Sequence, residues 1–324
     1  MEENKYLSSL AGFHNRCLDE LVILLYHGVT SSSSIGIENV SRKHISEVEF
    51  RRQIRFVKEN CNPLTIEQVV YHCRTGQKFP PHSVAITFDD GFKNNFEIAA
   101  PVLREYQVPA VFYVCAGVIN TDLMFWVDEL ECCINSTKKK KIKLKLGGET
   151  SFKVGTYEEK LTALEKIKSF CKLCSSIEKS RIVREVVAST EIEPGVNYSE
   201  NYQKISWQEL IELDRDPLFT IGAHTLYHDV LRNQPEKDMY ATIQLSLDLL
   251  SYNLQHSIHH FSYPEGQAAH YDQKVIDYLK RVGVVCSPSA IVGLNPAGSD
   301  PFHLKRIMVG FDGMPFPYLD TRLK

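Results

Sequence analysis

Two short segments far apart in the chain, Thr87-Phe88-Asp89-Asp90-Gly91 and His224-Thr225-Leu226-Tyr227-His228, hold the side chains that a mononuclear metal hydrolase needs. Adjacent carboxylates in one small site resist ionising together unless a cation stands beside them, which suits one to hold a metal and the other to act as a base. His224 and His228 are four apart. One helical turn or a tight loop brings both imidazoles to the same side, a spacing that suits two nitrogen ligands. One aspartate with the two histidines makes an Asp-His-His set with positions open for water and substrate, the composition of a catalytic rather than a structural centre. Each segment alone also has an ordinary reading. Asp-Asp-Gly makes a common strand-to-helix turn with a capping Asp, and a lone histidine pair is commonly a surface or structural feature. It is the pairing that points to chemistry.

Both segments end strand-like runs. Val84-Ala85-Ile86-Thr87-Phe88 is apolar, rich in β-branched and aromatic residues, and entered through Pro80-Pro81, while Phe219-Thr220-Ile221-Gly222-Ala223 leads into His224. In α/β folds active sites collect at the carboxyl ends of the strands, and Gly91 allows a sharp turn after Asp90. Further strand-like runs occur at 22–26, 110–114, 259–263, 283–287 and 305–309. Seven such runs separated by helical stretches suggest an incomplete (β/α) barrel. Among the helices, 47–60 places Val48, Phe50, Ile54, Phe56 and Val57 at near-helical spacing, 66–73 follows Thr65 as an N-cap, and 94–106 is kinked or split by Pro101. Residues 120–205 break the pattern and read as an inserted, mostly helical cap with a long amphipathic stretch over 157–188.

The two segments resemble the signatures of the polysaccharide deacetylases of the NodB-homology, carbohydrate esterase 4 type: a TFDDG segment followed by an H-[ST]-x-x-H segment. Leu24-Leu25-Tyr26-His27-Gly28-Val29 and Tyr263-Pro264-Glu265-Gly266 extend the likeness toward the subgroup acting on N-acetylglucosamine polymers and surface glycans. The resemblance implies a distorted (β/α)7 barrel related to the TIM barrel, within one catalytic domain over 1–324 that carries the 120–205 insertion. It assigns Asp89 as general base and Asp90, His224 and His228 as ligands of one divalent ion, zinc first with cobalt or nickel as alternatives, and has Thr225 bracing the loop between the histidines. It also implies hydrolysis of an N-acetyl group on an amino sugar, with a backbone N–H in the Tyr263-Pro264-Glu265-Gly266 turn, at Glu265, helping to hold the oxyanion.

The chain departs from the family twice. The late Leu-x-His segment that supplies the general acid in many members has no counterpart near the C-terminus, whereas Leu25-Tyr26-His27 carries the pattern near the N-terminus, as if the barrel were circularly permuted. His27 is therefore the expected acid; a histidine capping the edge of the core is the other reading. The family's Arg-x-Pro-Tyr segment reads Ser262-Tyr263-Pro264-Glu265 here, so the Arg that orients the base is missing. Arg306 is the candidate replacement, because a guanidinium beside Asp89 would lower its pKa and fix its orientation; an ordinary surface ion pair is the alternative. Trp126 and Tyr227 are candidates for stacking on a sugar ring, with buried packing the competing reading for the tryptophan.

Composition bounds the rest. With 324 residues and 43% hydrophobic content the chain can bury a large core, and a net charge of -3 with no strongly basic domain gives no sign of nucleic-acid binding. No run reaches the roughly 20 apolar residues of a membrane span. Peripheral membrane contact stays open through Lys138-Lys139-Lys140-Lys141, which is otherwise a solvated face. Met1-Glu2-Glu3-Asn4-Lys5 opens acidic with no leader pattern, so a cytoplasmic enzyme acting on a lipid-linked or nucleotide-linked precursor is expected. The nine cysteines, Cys17, Cys61, Cys73, Cys115, Cys132, Cys133, Cys171, Cys174 and Cys286, make no secreted disulfide framework, and Cys171 with Cys174 reads as core packing. An O-acetyl esterase, a cyclic amide hydrolase and a catalytically silent sugar-binding module are the other functions open to this residue set.

Overall fold

The computed structural model describes residues 19–310, so Cys17 lies outside the described residues. The chain divides into two compact units, one of residues up to Ser31, Ser41–Asn120 and from Ile205 onward, the other of Ser32–Val40 and Thr121–Lys204.

The first unit is built on a seven-stranded sheet. Its strands are β1 (Glu20–Tyr26), β4 (Asn62–Pro63), β5 (Ser83–Phe88), β6 (Ala110–Val114), β9 (Phe219–Ala223), β10 (Asn295–Pro296) and β11 (Ile307–Met308). The central order is β10-β1-β5-β6-β9, with β11 beside β1 and β4 beside β5. All pairings are parallel except β1 with β10. A separate short pair joins β2 (Gly28–Thr30) to β3 (His44–Ser46). Single parallel bridges, Ala223 to Phe261 and His260 to Cys286, continue beyond β9. The runs expected at 259–263 and 283–287 are thus extended chain with one bridge each rather than full strands. The named strands form an open path and not a closed sheet, so the architecture established here is mixed α/β.

Strand alternation sorts the side chains into two faces. Val22, Leu24, Tyr26, Val84, Ile86, Phe88, Phe112 and Val114 join the large cluster containing residues of α1 (Glu47–Asn60), α3 (Ala100–Tyr106), α7 (Trp207–Asp214), α8 (Glu236–Leu254) and α9 (Gln273–Arg281). Leu21, Ile23, Ala85, Val111 and Tyr113 pack on the other face with Cys286, Leu304 and residues of α2 (Ile66–Thr75). Both faces are buried, which is why the strands read as continuous apolar runs.

Helix ends follow side-chain signals. Thr65 caps α2 in a full capping box with Gln68, and Ser206 does the same for α7 with Glu209. Within α1, Val48 is 71% exposed, contrary to its expected place among the buried residues, and Gln53 is buried instead, its Oε1 accepting from the Tyr26 hydroxyl at 2.8 Å. The stretch 94–106 is a π turn, Asn95–Ala99, followed directly by α3 with Pro101 in its first turn, so the expected break falls just before the proline.

The second unit has its own core of Ile37, Leu130, Ile134, Ile142, Leu144, Phe152, Leu164, Ile167, Ile182 and Val186. It holds α4 (Trp126–Ser136), α5 (Tyr157–Lys172) and α6 (Ser176–Thr190). It is not all helical: β7 (Lys141–Lys145) pairs antiparallel with β8 (Glu149–Lys153). The alternation Lys-Ile-Lys-Leu-Lys buries Ile142 and Leu144 and leaves the lysines outside. The Gly147-Gly148 turn fits such a hairpin. Cys171 is buried and Cys174 half-buried; none of the eight described cysteines forms a disulfide.

Candidate active site

The catalytic candidates gather where the parallel strands end. Tyr26 closes β1 before His27, Phe88 closes β5 before Asp89 and Asp90, and Ala223 closes β9 before His224. Alternation along β5 puts Asp89 in phase with Ala85 and Thr87, on the face carrying Tyr113. Asp90 takes a left-handed backbone, φ 82°, and Thr225 (64°), His228 (61°) and Glu265 (59°) do likewise. Non-glycine residues in that region carry a backbone cost of about 1–3 kcal/mol each and cluster at functional sites.

Arg306, immediately before β11, is fully buried and spends all five of its N–H donors. Nη1 and Nη2 grip the Asp89 carboxylate two-pronged at 2.8 and 2.7 Å. Nε donates to the Ser289 carbonyl at 2.6 Å, Nη1 also to the Thr87 hydroxyl at 3.3 Å, and Nη2 also to the Ser262 hydroxyl at 2.8 Å. Its guanidinium lies over the Tyr113 ring, 5.9 Å from the centroid. Gly222 leaves room for that ring, since a Cβ there would fall 2.5 Å from it. Burial by itself would push the Asp89 carboxyl up, but Arg306 and His224 outweigh it and hold the group below the ordinary carboxylate range.

Asp90, His224 and His228 form the one cluster of potential metal-ligating side chains of this kind among the described residues, with one donor atom from each lying within 4.8 Å of the others. Nε2 of each histidine is 3.6 Å from Asp90 Oδ1. Two ligands of a tetrahedral ion with bonds of about 2.0–2.1 Å sit roughly 3.3 Å apart, so the spacing fits a zinc-like ion with a small inward adjustment. Oδ1 of Asp90 is buried and has no hydrogen-bond partner, which is how a ligand oxygen looks before its ion is considered. Burial would raise this carboxyl too; His228, His27 and His224 override it and keep it strongly ionised. His224 Nδ1 faces the Ser262 carbonyl at 2.8 Å, which places the proton on Nδ1 and the lone pair on Nε2 toward Asp90. Burial lowers the His224 pKa to about 4, so the ring is neutral and able to coordinate near pH 7.

His27 is half-buried beyond β1, and burial lowers its pKa against the opposing pull of Asp90 and Asp89. Lys43 also acts electrostatically on His27 and Asp90, and its ammonium lies 4.6 Å over the Phe92 ring. Thr225 braces its loop through its main-chain carbonyl and not through its hydroxyl. Its hydroxyl is buried without a hydrogen-bond partner, and the loop is braced by main chain, Ala116 N–H to the Thr225 carbonyl at 3.0 Å and Gly117 N–H to that of Leu226 at 3.0 Å.

The remaining candidates separate. Tyr227 is 53% exposed and its ring rests on Gly117, where a Cβ would come within 2.6 Å. Tyr263 offers no face to a ligand: it is 1% exposed, stacked on Tyr271 at 3.9 Å, and its hydroxyl donates to the Phe302 carbonyl at 3.1 Å. Its aromatic ring is core, which leaves only the turn of Pro264, Glu265 and Gly266 for a role with substrate. Gly266 holds that turn against the neighbouring chain, its carbonyl accepting from Ala290 N–H at 2.9 Å. Trp126 belongs to the second unit and packs against its core with Lys179 Nζ 5.4 Å from the ring centroid, the packing reading rather than the stacking one.

Ser262 is the residue that sequence reasoning missed. Its hydroxyl donates to Asp89 Oδ2 at 3.2 Å while accepting from Arg306, and its carbonyl fixes the His224 tautomer. The only signal for it was its position, where the family's Arg would stand.

A parallel α/β sheet carrying a carboxylate-dihistidine cluster beside an arginine-held aspartate defines a hydrolase-type centre at the strand carboxyl ends. The chain belongs to the polysaccharide deacetylase family, whose profile matches residues 76–145 and 176–287. Among curated relatives, the poly-beta-1,6-N-acetyl-D-glucosamine N-deacetylase of Staphylococcus aureus is 35% identical over 92 residues, 28% of this chain and 30% of that protein. The Staphylococcus epidermidis enzyme of the same name is 32% identical over 131 residues, 37% of this chain and 42% of that protein. The matched stretch thus spans well under half the length of these relatives. Solved structures with the same fold include IcaB from Ammonifex degensii (TM-score 0.59, 19% identity, 90% of this chain and 92% of that chain). The Streptococcus pyogenes deacetylase PplD, solved with acetate, is alike in fold (TM-score 0.59, 15% identity, 92% and 95%).

Proposed function

We propose that the protein hydrolyses the N-acetyl group of an N-acetylglucosamine-type sugar to the free amine and acetate. The observation that carries this reading is the Asp89–Arg306 pair set beside Asp90, His224 and His228, a base and a ligand set held apart by different partners. The relatives' names place N-deacetylation of poly-N-acetylglucosamine on chains that share part of this sequence.

Asp90, His224 and His228 would hold one divalent ion, zinc first and cobalt or nickel next; when bound, it supplies a water of lowered pKa and polarises the acetyl carbonyl. Asp89, ionised and oriented by Arg306 and Ser262, takes the proton from the attacking water. The turn at Pro264, Glu265 and Gly266 directs a backbone N–H at the developing oxyanion, a donor worth about 3–4 kcal/mol in acyl transfer. His27, charged once it has a proton to give and held near Asp90 and Asp89, protonates the departing nitrogen, without which an amide reverts. Tyr227, exposed beside His228, supplies an aromatic face for a sugar ring.

The parallel order with its two further bridges supports a distorted (β/α)7 barrel, with the His27 segment in the place that a late segment fills elsewhere in the family, as in a circular permutation. Residues 120–205 act as a cap within the one catalytic domain. Eight described cysteines without a disulfide between them support a reducing compartment, hence a cytoplasmic enzyme working on a lipid-linked or nucleotide-linked precursor. The test is acetate release from polymeric, nucleotide-linked and lipid-linked N-acetylglucosamine, with chelation followed by zinc or cobalt return, beside O-acetyl and cyclic amide substrates. Metal-dependent release from an N-acetyl sugar that Asp89→Asn abolishes supports the reading. Turnover of only the ester or cyclic amide, or full activity in Asp89→Asn, refutes it.

A further inference from the structure

The turn joining α5 to α6, together with the first turn of α6, carries two side chains that the fold does not use. The stripe of α5 facing the core is Ala163, Leu164, Ile167 and Cys171, and that of α6 continues through Ile182, Val183 and Val186. Leu173 and Ile177 lie outside both stripes and are 89% and 84% exposed, the two most exposed large hydrophobic residues among those described. The turn presents them on a fixed backbone: Leu173 N–H donates to the Phe170 carbonyl at 3.1 Å and Cys174 N–H to that of Cys171 at 3.2 Å, and Ser175 caps α6 by accepting from Glu178 N–H at 3.3 Å.

The surroundings are basic. From 166 to 181 the chain has Lys166, Lys168, Lys172, Lys179 and Arg181 against Glu178, a net +4 in a chain whose total is -3. Isolated exposed aliphatic residues need no explanation, but a fixed pair in a stretch of net positive charge, where Glu178 is taken up by Arg181, matches a surface that is apolar within and anionic at its face. The lysine run 138–141 is a different place, since Lys139 pairs with Glu191 just past the far end of α6, which at 15 residues is about 22 Å long.

We propose that this tip docks on an anionic lipid bilayer, Leu173 and Ile177 entering the boundary between headgroups and acyl chains while Lys168 and Lys172 stay among the phosphates. The contact is peripheral, since no helix among the described residues is long and apolar enough to cross a membrane. It stands apart from the deacetylase reading and needs no substrate.

The experiment is cosedimentation of the full chain with vesicles of phosphatidylcholine alone and of equal parts phosphatidylcholine and phosphatidylglycerol, at low and high salt. The wild type should pellet with the anionic vesicles and less so at high salt. Leu173→Ser/Ile177→Ser should lower partitioning roughly a hundredfold or more, since each of the two aliphatic side chains withdrawn from water contributes about tenfold or more, with its urea midpoint unchanged. Lys168→Glu/Lys172→Glu should lose the anionic preference. Equal pelleting with both vesicle types, or undiminished binding by the serine variant, overturns the proposal. So does a wild-type dimer that ignores vesicles and that the serine variant dissociates, which would make the tip a contact between copies.

Discussion

Replacing Arg306 with Met tests how the base is held. The change removes the two-pronged bond to Asp89 and leaves a carboxylate that is 4% exposed with Ser262's hydroxyl, 3.2 Å away, as its remaining donor in that network. Breaking one side of a buried ion pair costs about 3–5 kcal/mol, largely for the charge left behind. Asp89→Asn strands the guanidinium and should cost a similar amount, whereas Arg306→Met/Asp89→Asn leaves no orphan charge and should cost about 1–3 kcal/mol, the scale of an unsatisfied buried polar group. The double variant should therefore be more stable than Arg306→Met alone, and the cycle should show several kcal/mol of coupling. The sign with pH follows. In the wild type Asp89 lies below its unfolded value, so the pair contributes stability above the ordinary carboxylate pKa of about 3.9 and loses it as pH falls through the lower native value. In Arg306→Met burial dominates and raises the carboxyl, so its penalty grows as pH rises toward neutrality and shrinks in acid. Urea unfolding of chelated protein between mildly acidic and neutral pH, followed by circular dichroism, measures both. A deficit that does not change with pH, or a double variant as unstable as the sum of the singles, would refute the electrostatic account.

Three further outcomes are expected. His27→Gln should lower turnover of an N-acetyl amide by about 100- to 10,000-fold, the usual range for a general acid, and far less for an acetyl ester with a good leaving group; equal losses on both would remove the acid role. Ser262→Ala should lower kcat by roughly 3- to 12-fold, one net hydrogen bond, while metal stoichiometry by atomic absorption stays unchanged, because His224 is held by the main-chain carbonyl at that position. Zinc added to chelated wild type should raise the unfolding free energy by about 2.7 kcal/mol at a hundred times its Kd, and His228→Ala should abolish that gain. Because burial lowers His224 to about 4, metal-free stability should also fall as pH drops from about 6.5 toward that native value.

What was legible in the sequence was what depends on local order. The five-residue strings around Asp89-Asp90 and His224-His228 sit at strand ends, and strand ends can be read from where apolar runs stop. Arg306 is legible because an aspartate whose usual partner is absent needs another cation, and this one stands in a strand-like run. Ser262 is not, because a serine has no chemical signature until its hydroxyl is seen between Asp89 and Arg306. The β7–β8 hairpin is masked by its lysines, although Lys141–Lys145 alternates with the period of a strand and Gly147-Gly148 marks its turn. Tyr263 looked like a ligand contact because it sits in a motif, but which way a ring faces after a strand is decided by neighbours such as Tyr271 and Phe302 that arrive from elsewhere in the chain.

The left-handed backbone at Asp90 and His228 bears on how such a centre would decay. Glycine adopts those dihedrals without cost, so Asp90→Gly or His228→Gly would relieve a conformational penalty of about 1–3 kcal/mol while discarding a ligand. His224 is not among the positive-φ residues, and its replacement offers no such relief. Under selection for folding alone, the two conformationally costly ligands would erode first. A lineage that had become a passive sugar-binding protein should thus show glycine or asparagine at these two positions before any change at His224. This chain carries aspartate and histidine there.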